Sequence, residues 1–206
     1  MKLFKPPRLT NWVFPRLRWR FSISEQVVFI TFDDGPNPEI TPFVLDLLKE
    51  YNWKATFFCV GENVRKYPEL FRRILNEGHT VGNHTMKHLN SIKTENELYL
   101  ESFREFEETY PTKLFRPPYG RIKPSVAKEI AKTHQIIMWS WLSYDYDLSV
   151  SNERILSEAK RIKPGEILVL HDNSKIAERQ KELLPQLFRQ LKEAEFCSEA
   201  ISVSVS

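Results

Sequence analysis

The sequence predicts an α/β protein, a distorted and incomplete (β/α) barrel with six to seven parallel strands and outer helices. Short β-rich runs alternate along the chain with segments of helical spacing, a pattern typical of a parallel sheet covered by helices. So many repeats in 206 residues favour a nearly closed barrel over an open sheet. The chain is shorter than the roughly 250 residues of a full eight-fold barrel, so we expect an incomplete one.

The elements of the first half follow from hydrophobic pattern and from residues that end helices and strands. The run VVFITF at 27–32 is a buried strand that ends at Asp33, and the apolar run at 55–60 is a second strand. Apolar spacing and Pro42 near its start predict a helix over 39–51, and Gly78 ends a helix over 67–77. A short strand at 79–82 and an acidic amphipathic helix at 94–109 follow, with Leu98, Phe103 and Phe106 predicted to face inward.

The second half repeats the alternation. Strands are predicted at 114–116, 136–141 and 167–170, and a last edge strand at 201–205, where apolar residues alternate with serine. Helices are predicted at 123–132, 152–162 and 176–192, the first with Pro124 near its start and the last interrupted or kinked near Pro185. Cys59, inside an apolar run, is predicted to be a buried free thiol.

The net charge of +3 is unevenly distributed. Residues 1–21 carry six basic residues and no acid, so the rest of the chain is slightly acidic. This distribution disfavours a nucleic-acid-binding domain, which needs a basic face on its folded body. We divide the chain into a basic, aromatic arm (1–24) and one folded domain (25–206).

The arm has two interpretations. It packs as an extended segment on the domain, or it lies on an anionic membrane surface with Trp12, Phe14, Trp19 and Phe21 at the interface. No apolar run reaches the length of a secretory signal or of a membrane span, and the compartment is left open.

Polar side chains that could carry chemistry follow the predicted strands. Asp33 and Asp34 follow the first strand, His84 the third, Arg116 the fourth and His171 the sixth. Parallel strands open their carboxyl ends on one face, where active sites of such folds lie. The sequence therefore predicts that these groups converge. Each feature alone has an ordinary structural explanation, such as a turn or an ion pair.

Four motifs in this order resemble the polysaccharide deacetylase family, carbohydrate esterase family four. They are TFDDGP at 31–36, HTMKH at 84–88, RPPYG at 116–120 and LVLHD at 168–172. The resemblance covers residues 25–205, and it implies a metal-dependent hydrolase that removes acetyl groups from a glycan. The substrate that we expect is an N-acetylglucosamine-containing glycan of the chitooligosaccharide or peptidoglycan type, with release of acetate.

The resemblance implies a metal site formed by Asp34, His84 and His88. One carboxylate and two imidazoles suit zinc, and cobalt or another divalent ion could replace it. Asn83 and Thr85 are candidates for holding His84 or its loop.

The same resemblance assigns the catalytic groups. Asp33 corresponds to the general base and His171 to the general acid that protonates the leaving amine. Arg116 corresponds to the residue that orients the base. Tyr119 corresponds to the position whose backbone N–H helps to stabilise the oxyanion, and Pro117 beside it joins the substrate-binding set.

One segment departs from the family pattern. Family members commonly carry Asp-Ser-x-Asp-Trp after the fifth strand, and this chain has LSYDY at 142–146. Leu142 replaces the first Asp and Tyr146 replaces the Trp. An acid of this segment supports the catalytic imidazole in the family, and either Asp145 or Asp147 could do so here.

Three further residues complete the expected substrate-binding set. Trp141 and Tyr146 are candidates for contact with a sugar ring. Val169 should point the same way as His171 because side chains alternate along a strand, so it is a candidate wall for the acetyl methyl group.

Two alternatives remain open at this point. The altered segment keeps an O-acetyl esterase in view, because an alcohol leaving group needs less help from His171. A carbohydrate-binding relative with little turnover is the other. The expected partner is an acetylated glycan, with no nucleic acid and no membrane span, and a monomer is expected.

Overall fold

The computed structural model describes residues 2–7 and 10–202, apart from the side chains of residues 11 and 12. The described residues form nine strands: β1 (Leu17–Arg18), β2 (Val27–Asp33), β3 (Thr56–Cys59), β4 (Thr80–Asn83), β5 (Leu114–Phe115), β6 (Gln135–Ile137), β7 (Trp141–Leu142), β8 (Ile167–His171) and β9 (Cys197–Ser198). They also form eight helices: α1 (Thr10–Val13), α2 (Thr41–Glu50), α3 (Gly61–Lys66), α4 (Pro68–Asn76), α5 (Asn96–Thr109), α6 (Pro124–Ile130), α7 (Asn152–Ala159) and α8 (Ala177–Glu193).

The strands form one curled parallel sheet in the order β1-β6-β5-β4-β3-β2-β8-β7, and β9 pairs with the start of β2. Strand β2 is central, and all seven of its residues are buried, as expected for a strand covered on both faces. The predicted incomplete barrel of parallel strands is confirmed. The sheet has more strands than predicted because two-residue strands β1 and β7 extend its two ends.

Three residues connect the two ends of this sheet. The predicted strand 136–141 divides into β6 and β7, which lie near opposite ends of the strand order. The residues between them form hydrogen bonds with strands at opposite ends of the sheet. The Met138 N–H donates to the Arg18 carbonyl in β1, and the Ser140 N–H donates to the Ile167 carbonyl in β8. So short a link spans at most about 14 Å, and the sheet must therefore curl until its ends approach each other.

The N-terminal arm covers both ends of the curled sheet. Leu17 and Arg18 pair with β6 at one end, while the Phe4 carbonyl accepts a hydrogen bond from the Leu142 N–H (2.8 Å) at the other. The Phe21 N–H donates to the Gly165 carbonyl (2.9 Å). The described part of the arm is therefore packed on the domain, as the first interpretation expects. The Trp12 side chain lies outside the described residues.

Apolar residues fill two layers. Side chains between the sheet and the helices form the larger core, which includes Phe32, Leu168, Leu170 and Phe188. A smaller cluster on the other side of the sheet includes Phe29, Phe58, Ile137 and Ile167. None of the helices in the described ranges combines the length and apolarity that a bilayer crossing requires.

Some local predictions need correction. Leu98 is 53% exposed, and α5 buries Tyr99 together with Phe103 and Phe106. The last strand among the described residues is β9, which pairs with β2 at 197–198. Residues 201 and 202 are not in a strand, and 203–205 lie outside the described residues.

Helix α8 runs through Pro185 without interruption. Cys59 is a buried free thiol, as predicted.

Candidate active site

Polar side chains from four strand ends meet at the carboxyl edge of the sheet. Asp33 ends β2 and His171 ends β8, and the two residues are register partners. Asn83 ends β4 and precedes His84, while Arg116 follows β5. The parallel order of the strands is what brings these distant parts of the chain together.

A group of three side chains could hold a metal ion. Asp34, His84 and His88 each offer one ligand atom, and these atoms all lie within 4.8 Å of one another. The Asp34 Oδ1 atom is 3.2 Å from His88 Nε2 and 3.8 Å from His84 Nε2. Asp34 and His88 both have positive φ angles (87° and 52°), and they lie in the turns after their strands. Described residues elsewhere in the chain form no other such group.

The contacts behind these side chains prepare them for a cation. His84 Nδ1 lies 2.8 Å from the Arg116 carbonyl, which can only accept, so Nδ1 carries the proton and Nε2 is free as a ligand. Burial lowers the pKa of His84 to about 4, which keeps the ring neutral. Asn173 donates to Asp34 Oδ2 (2.8 Å) and leaves Oδ1 facing the histidines. The donor set therefore fits a divalent ion that prefers nitrogen and carboxylate ligands.

Asn83 and Thr85 hold the loop rather than the His84 ring. Asn83 Oδ1 accepts a hydrogen bond from the Thr85 N–H (2.6 Å), and its amide donates to the Phe103 carbonyl (3.0 Å). The partner of the His84 ring is the backbone of Arg116, a contact that the sequence pattern did not indicate.

Asp33 and Arg116 form a buried ion pair beside this group. Arg116 Nη1 lies 2.7 Å from Asp33 Oδ1, and the Arg116 side chain is fully buried. The guanidinium also donates to Thr31 Oγ1 and to the carbonyls of Ile137 and Met138, and it stacks on Phe58. Removing one partner of such a pair costs about 3–5 kcal/mol, because the other charge stays buried. The carboxylate of Asp33 is therefore held in one orientation.

His171 contacts Asp145 and not Asp147. Asp145 Oδ1 lies 2.7 Å from His171 Nδ1, and Asp145 Oδ2 accepts from the His171 N–H (2.8 Å). Asp147 instead pairs with Lys2. Burial disfavours the imidazolium, but the charge and hydrogen bond of Asp145, with Asp34 and Asp33 nearby, raise the pKa of His171 to about 9. The ring is therefore protonated at neutral pH.

Helix α8 contributes two supporting side chains that sequence analysis missed. Gln180 is fully buried and donates to both Asp145 Oδ2 and the His171 carbonyl (each 2.6 Å). Arg179 donates to the carbonyls of Asp145 and Asp147 and so holds the loop after β7. The available signal was weak: Gln180 is a polar residue on the buried face of an amphipathic helix, where most positions are apolar.

Asp172 is another residue whose role the sequence did not indicate. Its carboxyl accepts hydrogen bonds from the Gly35 N–H (2.9 Å) and the Thr41 hydroxyl (2.6 Å). A Cβ atom at Gly35 would overlap this carboxyl, so glycine is required there. Burial raises the pKa of Asp172 to about 8 despite these hydrogen bonds. The contact ties β8 to the turn that separates Asp33 from Asp34.

The residues predicted to contact substrate differ in position. Tyr119 is 60% exposed, has a φ angle of 60°, and packs on His88 with ring centroids 4.7 Å apart. Tyr146 packs edge-on against His171 (4.9 Å). Val169 and Pro117 are buried. Both exposed tyrosines therefore flank the candidate metal and acid groups.

The prediction for Trp141 is wrong. Its side chain is fully buried in the core between the sheet and the helices, where it packs against Phe4 of the arm (6.2 Å). It presents no surface to a ligand. The aromatic pattern WSW at 139–141 did not reveal which ring faces the core.

The polysaccharide deacetylase family model matches residues 22–138, more than half of the chain. The chain belongs to the polysaccharide deacetylase family. It is accordingly a hydrolase, and polysaccharide deacetylases of carbohydrate esterase family four are metal-dependent, in agreement with the site's three possible ligands.

Similar proteins of this family are known from bacteria. A peptidoglycan-N-acetylglucosamine deacetylase of Bacillus cereus is 38% identical over 185 residues, which cover 84% of this chain and 86% of that protein. A chitooligosaccharide deacetylase of Bradyrhizobium is 38% identical over 153 residues, 70% of each chain. A second Bacillus cereus peptidoglycan-N-acetylglucosamine deacetylase is longer, and the match spans 55% of its length.

Solved structures of the family share the fold. A peptidoglycan N-acetylglucosamine deacetylase, in complex with 4-naphthalen-1-yl-N-oxidanyl-benzamide, superposes with a TM-score of 0.83 at 33% identity. The match covers 94% of both chains.

Proposed function

We propose that this polysaccharide deacetylase removes N-acetyl groups from N-acetylglucosamine residues of a peptidoglycan or chitooligosaccharide glycan. The observation that carries the proposal is the pairing of Asp33 with Arg116 and of His171 with Asp145 on either side of the candidate metal ligands. One fixed carboxylate and one protonated imidazole are what amide hydrolysis needs as base and acid.

Asp34, His84 and His88 would hold the ion, and zinc suits their donor set best. Bound there, the ion would lower the pKa of water and polarise the acetyl carbonyl. The protein has the other tasks. Asp33, oriented by Arg116, accepts the proton of the attacking water as its oxygen bonds to the carbonyl carbon. The Tyr119 backbone N–H donates to the developing oxyanion.

His171 completes the reaction. As the carbon–nitrogen bond breaks, the imidazolium transfers its proton to the departing amine, which leaves as the free amine of glucosamine, with acetate as the second product. Asp145 stabilises the imidazolium and keeps Nε2 directed outward, since Nδ1 is engaged. Tyr146, packed on the same ring, offers an aromatic surface beside the leaving group.

The contact between Asp145 and His171 also bears on the esterase alternative. That alternative depended on Leu142 leaving the acid without support, and Asp145 provides the support. An amine leaving group, which requires protonation, is therefore the better match to this site than an alcohol.

We expect the zinc-loaded protein to release acetate from chitooligosaccharides or peptidoglycan fragments and to release less from acetylated xylan. Acetate is measured enzymatically across this panel of substrates, with the metal-free protein as the control. Release from acetylxylan or aryl acetates alone would favour the esterase. Tight glycan binding without any release would favour a binding protein.

The pH profile provides a test of the acid. Asp145→Asn removes the charge that raises the pKa of His171 while burial continues to lower it, so we expect the pKa to fall by at least about one unit. The rate declines as the imidazolium loses its proton, and the basic limb of kcat/KM should therefore move to lower pH. Asp147→Asn is the matched control, because Asp147 pairs with Lys2 and does not contact His171. An equal shift in both variants, or none in Asp145→Asn, would contradict the assignment.

A further inference from the structure

A large cavity lies between the arm and the edge of the sheet, and none of the candidate active-site residues lines it. It has a volume of about 740 Å³, and it is enclosed by the arm, by helix α7 and by the residues that precede β7 and β8. Ser140 and Glu166 line it at the amino ends of those strands, whereas His171 lies at the carboxyl end of β8. The cavity is therefore separate from the site described above.

The lining of this cavity is strongly cationic. Two acidic side chains, Glu158 and Glu166, face six basic ones: Lys2, Lys5, Arg20, Arg154, Arg161 and Lys163. Clefts lined by one sign of charge concentrate counter-ions, so this cavity attracts anions.

The basic side chains fall into two groups. Four are paired with acids: Lys5 with Glu166 (2.6 Å), Lys2 with Asp147, and both Arg154 (2.6 Å) and Arg161 (3.4 Å) with Glu158. Arg20 and Lys163 have no acidic partner within ion-pair distance among the residues that the structure describes. Arg20 is half-buried, so part of its hydration is already lost. These two cations are the ones available to a ligand.

We propose that the cavity binds a phosphate group. With Asp147, the partner of Lys2, counted among the acids, the basic side chains still outnumber the acidic ones by three, an excess that the single charge of a carboxylate does not compensate. A phosphate offers more acceptor oxygens, and the guanidinium of Arg20 matches its geometry with paired donors. Lys163 adds a point charge from the loop before β8.

The phosphate could be free in solution or could belong to the headgroup of an anionic phospholipid. Leu3 lines the cavity and is 57% exposed, while Val13 and Phe14 at the end of α1 are 56% and 50% exposed. Apolar side chains next to a cationic site are typical of proteins that contact the interface of an anionic bilayer. The experiment must therefore separate the two sources.

The test uses the zinc-loaded full chain and a double variant, Arg20→Gln with Lys163→Gln. Lys128→Gln with Arg189→Gln is the charge-matched control, because both residues are exposed on helices α6 and α8 and neither lines the cavity. The first measurement titrates inorganic phosphate by calorimetry. The second measures sedimentation of the protein with vesicles of phosphatidylglycerol and phosphatidylcholine, against vesicles of phosphatidylcholine alone. Thermal unfolding of each variant checks that the fold is intact.

We expect the double variant to bind at least about tenfold more weakly than the control pair, because each basic residue near an anion contributes substantially to affinity. Variant-sensitive binding of inorganic phosphate identifies a free phosphate site, and variant-sensitive binding to anionic vesicles alone identifies a headgroup site. Phosphate held at the zinc is the same in both variants and does not affect the comparison. No binding in either measurement, or equal binding by both variant pairs, would overturn the proposal.

Discussion

Replacing Asp33 by Asn is expected to lower kcat by about 100- to 10,000-fold, the usual contribution of a general base. The amide has the shape of the carboxylate and can still accept a hydrogen bond from Arg116, but it cannot take a proton from water. Asp33 is not among the three candidate metal ligands, so the ion content should remain at one per chain. The rate of acetate release and elemental analysis of the same preparation measure both quantities.

The Asp33 result has a matched control. Asp46→Asn changes an exposed aspartate that pairs with Arg73 on the outer surface, and it should leave both the rate and the metal content as they were. Retained activity in Asp33→Asn would exclude Asp33 as the base. Loss of the metal in that variant would show that Asp33, and not Asp34 alone, contributes to the metal site.

The second large effect is expected from His84→Ala. The substitution removes one of the three ligands, and the loss of metal affinity should exceed the 10- to 100-fold that changes behind a ligand commonly cause. After dialysis against a weak chelator, elemental analysis should find much less than one ion per chain, and acetate release should fall with it.

A buried histidine outside the metal group separates loss of a ligand from loss of packing. His79 is 6% exposed and accepts a hydrogen bond from the Ala55 N–H, but it does not belong to the group of three. His79→Ala should destabilise the fold while it keeps the metal. A full complement of metal in His84→Ala would show that the ligands are assigned incorrectly.

Much of this site could be predicted from the sequence because its residues sit where strands end. The apolar pattern predicts the strands, and four residues lie at or just after their ends: Asp33, His84, Arg116 and His171. Because a parallel sheet brings the carboxyl ends of its strands to one edge, these residues are expected to converge. The identity of the fold followed from the same alternation of strands and helices. Local pattern and topology were sufficient for these features.

Other features depend on packing that no local pattern records. Gln180 reaches Asp145 from the first turn of helix α8, where its type alone does not distinguish it from a surface residue. Asp145 and Asp147 are two residues apart in one short loop, and only the path of that loop directs one to His171 and the other to Lys2. Trp141 was assigned to the wrong face because the two-residue strand β7 is too short to show alternation.

The hydrogen bonds of the arm affect where the boundaries of an expressed fragment should lie. The family model begins at residue 22. It therefore leaves out β1 and also Phe4, whose carbonyl accepts a hydrogen bond from Leu142. A fragment cut at that boundary would leave unpaired backbone groups at both margins of the sheet, and exposed strand edges promote association between chains. The segment that the family model matches is thus smaller than the segment that closes the sheet. Boundaries for expression or for fusion partners should follow the hydrogen bonding of the sheet rather than the limits of the family model.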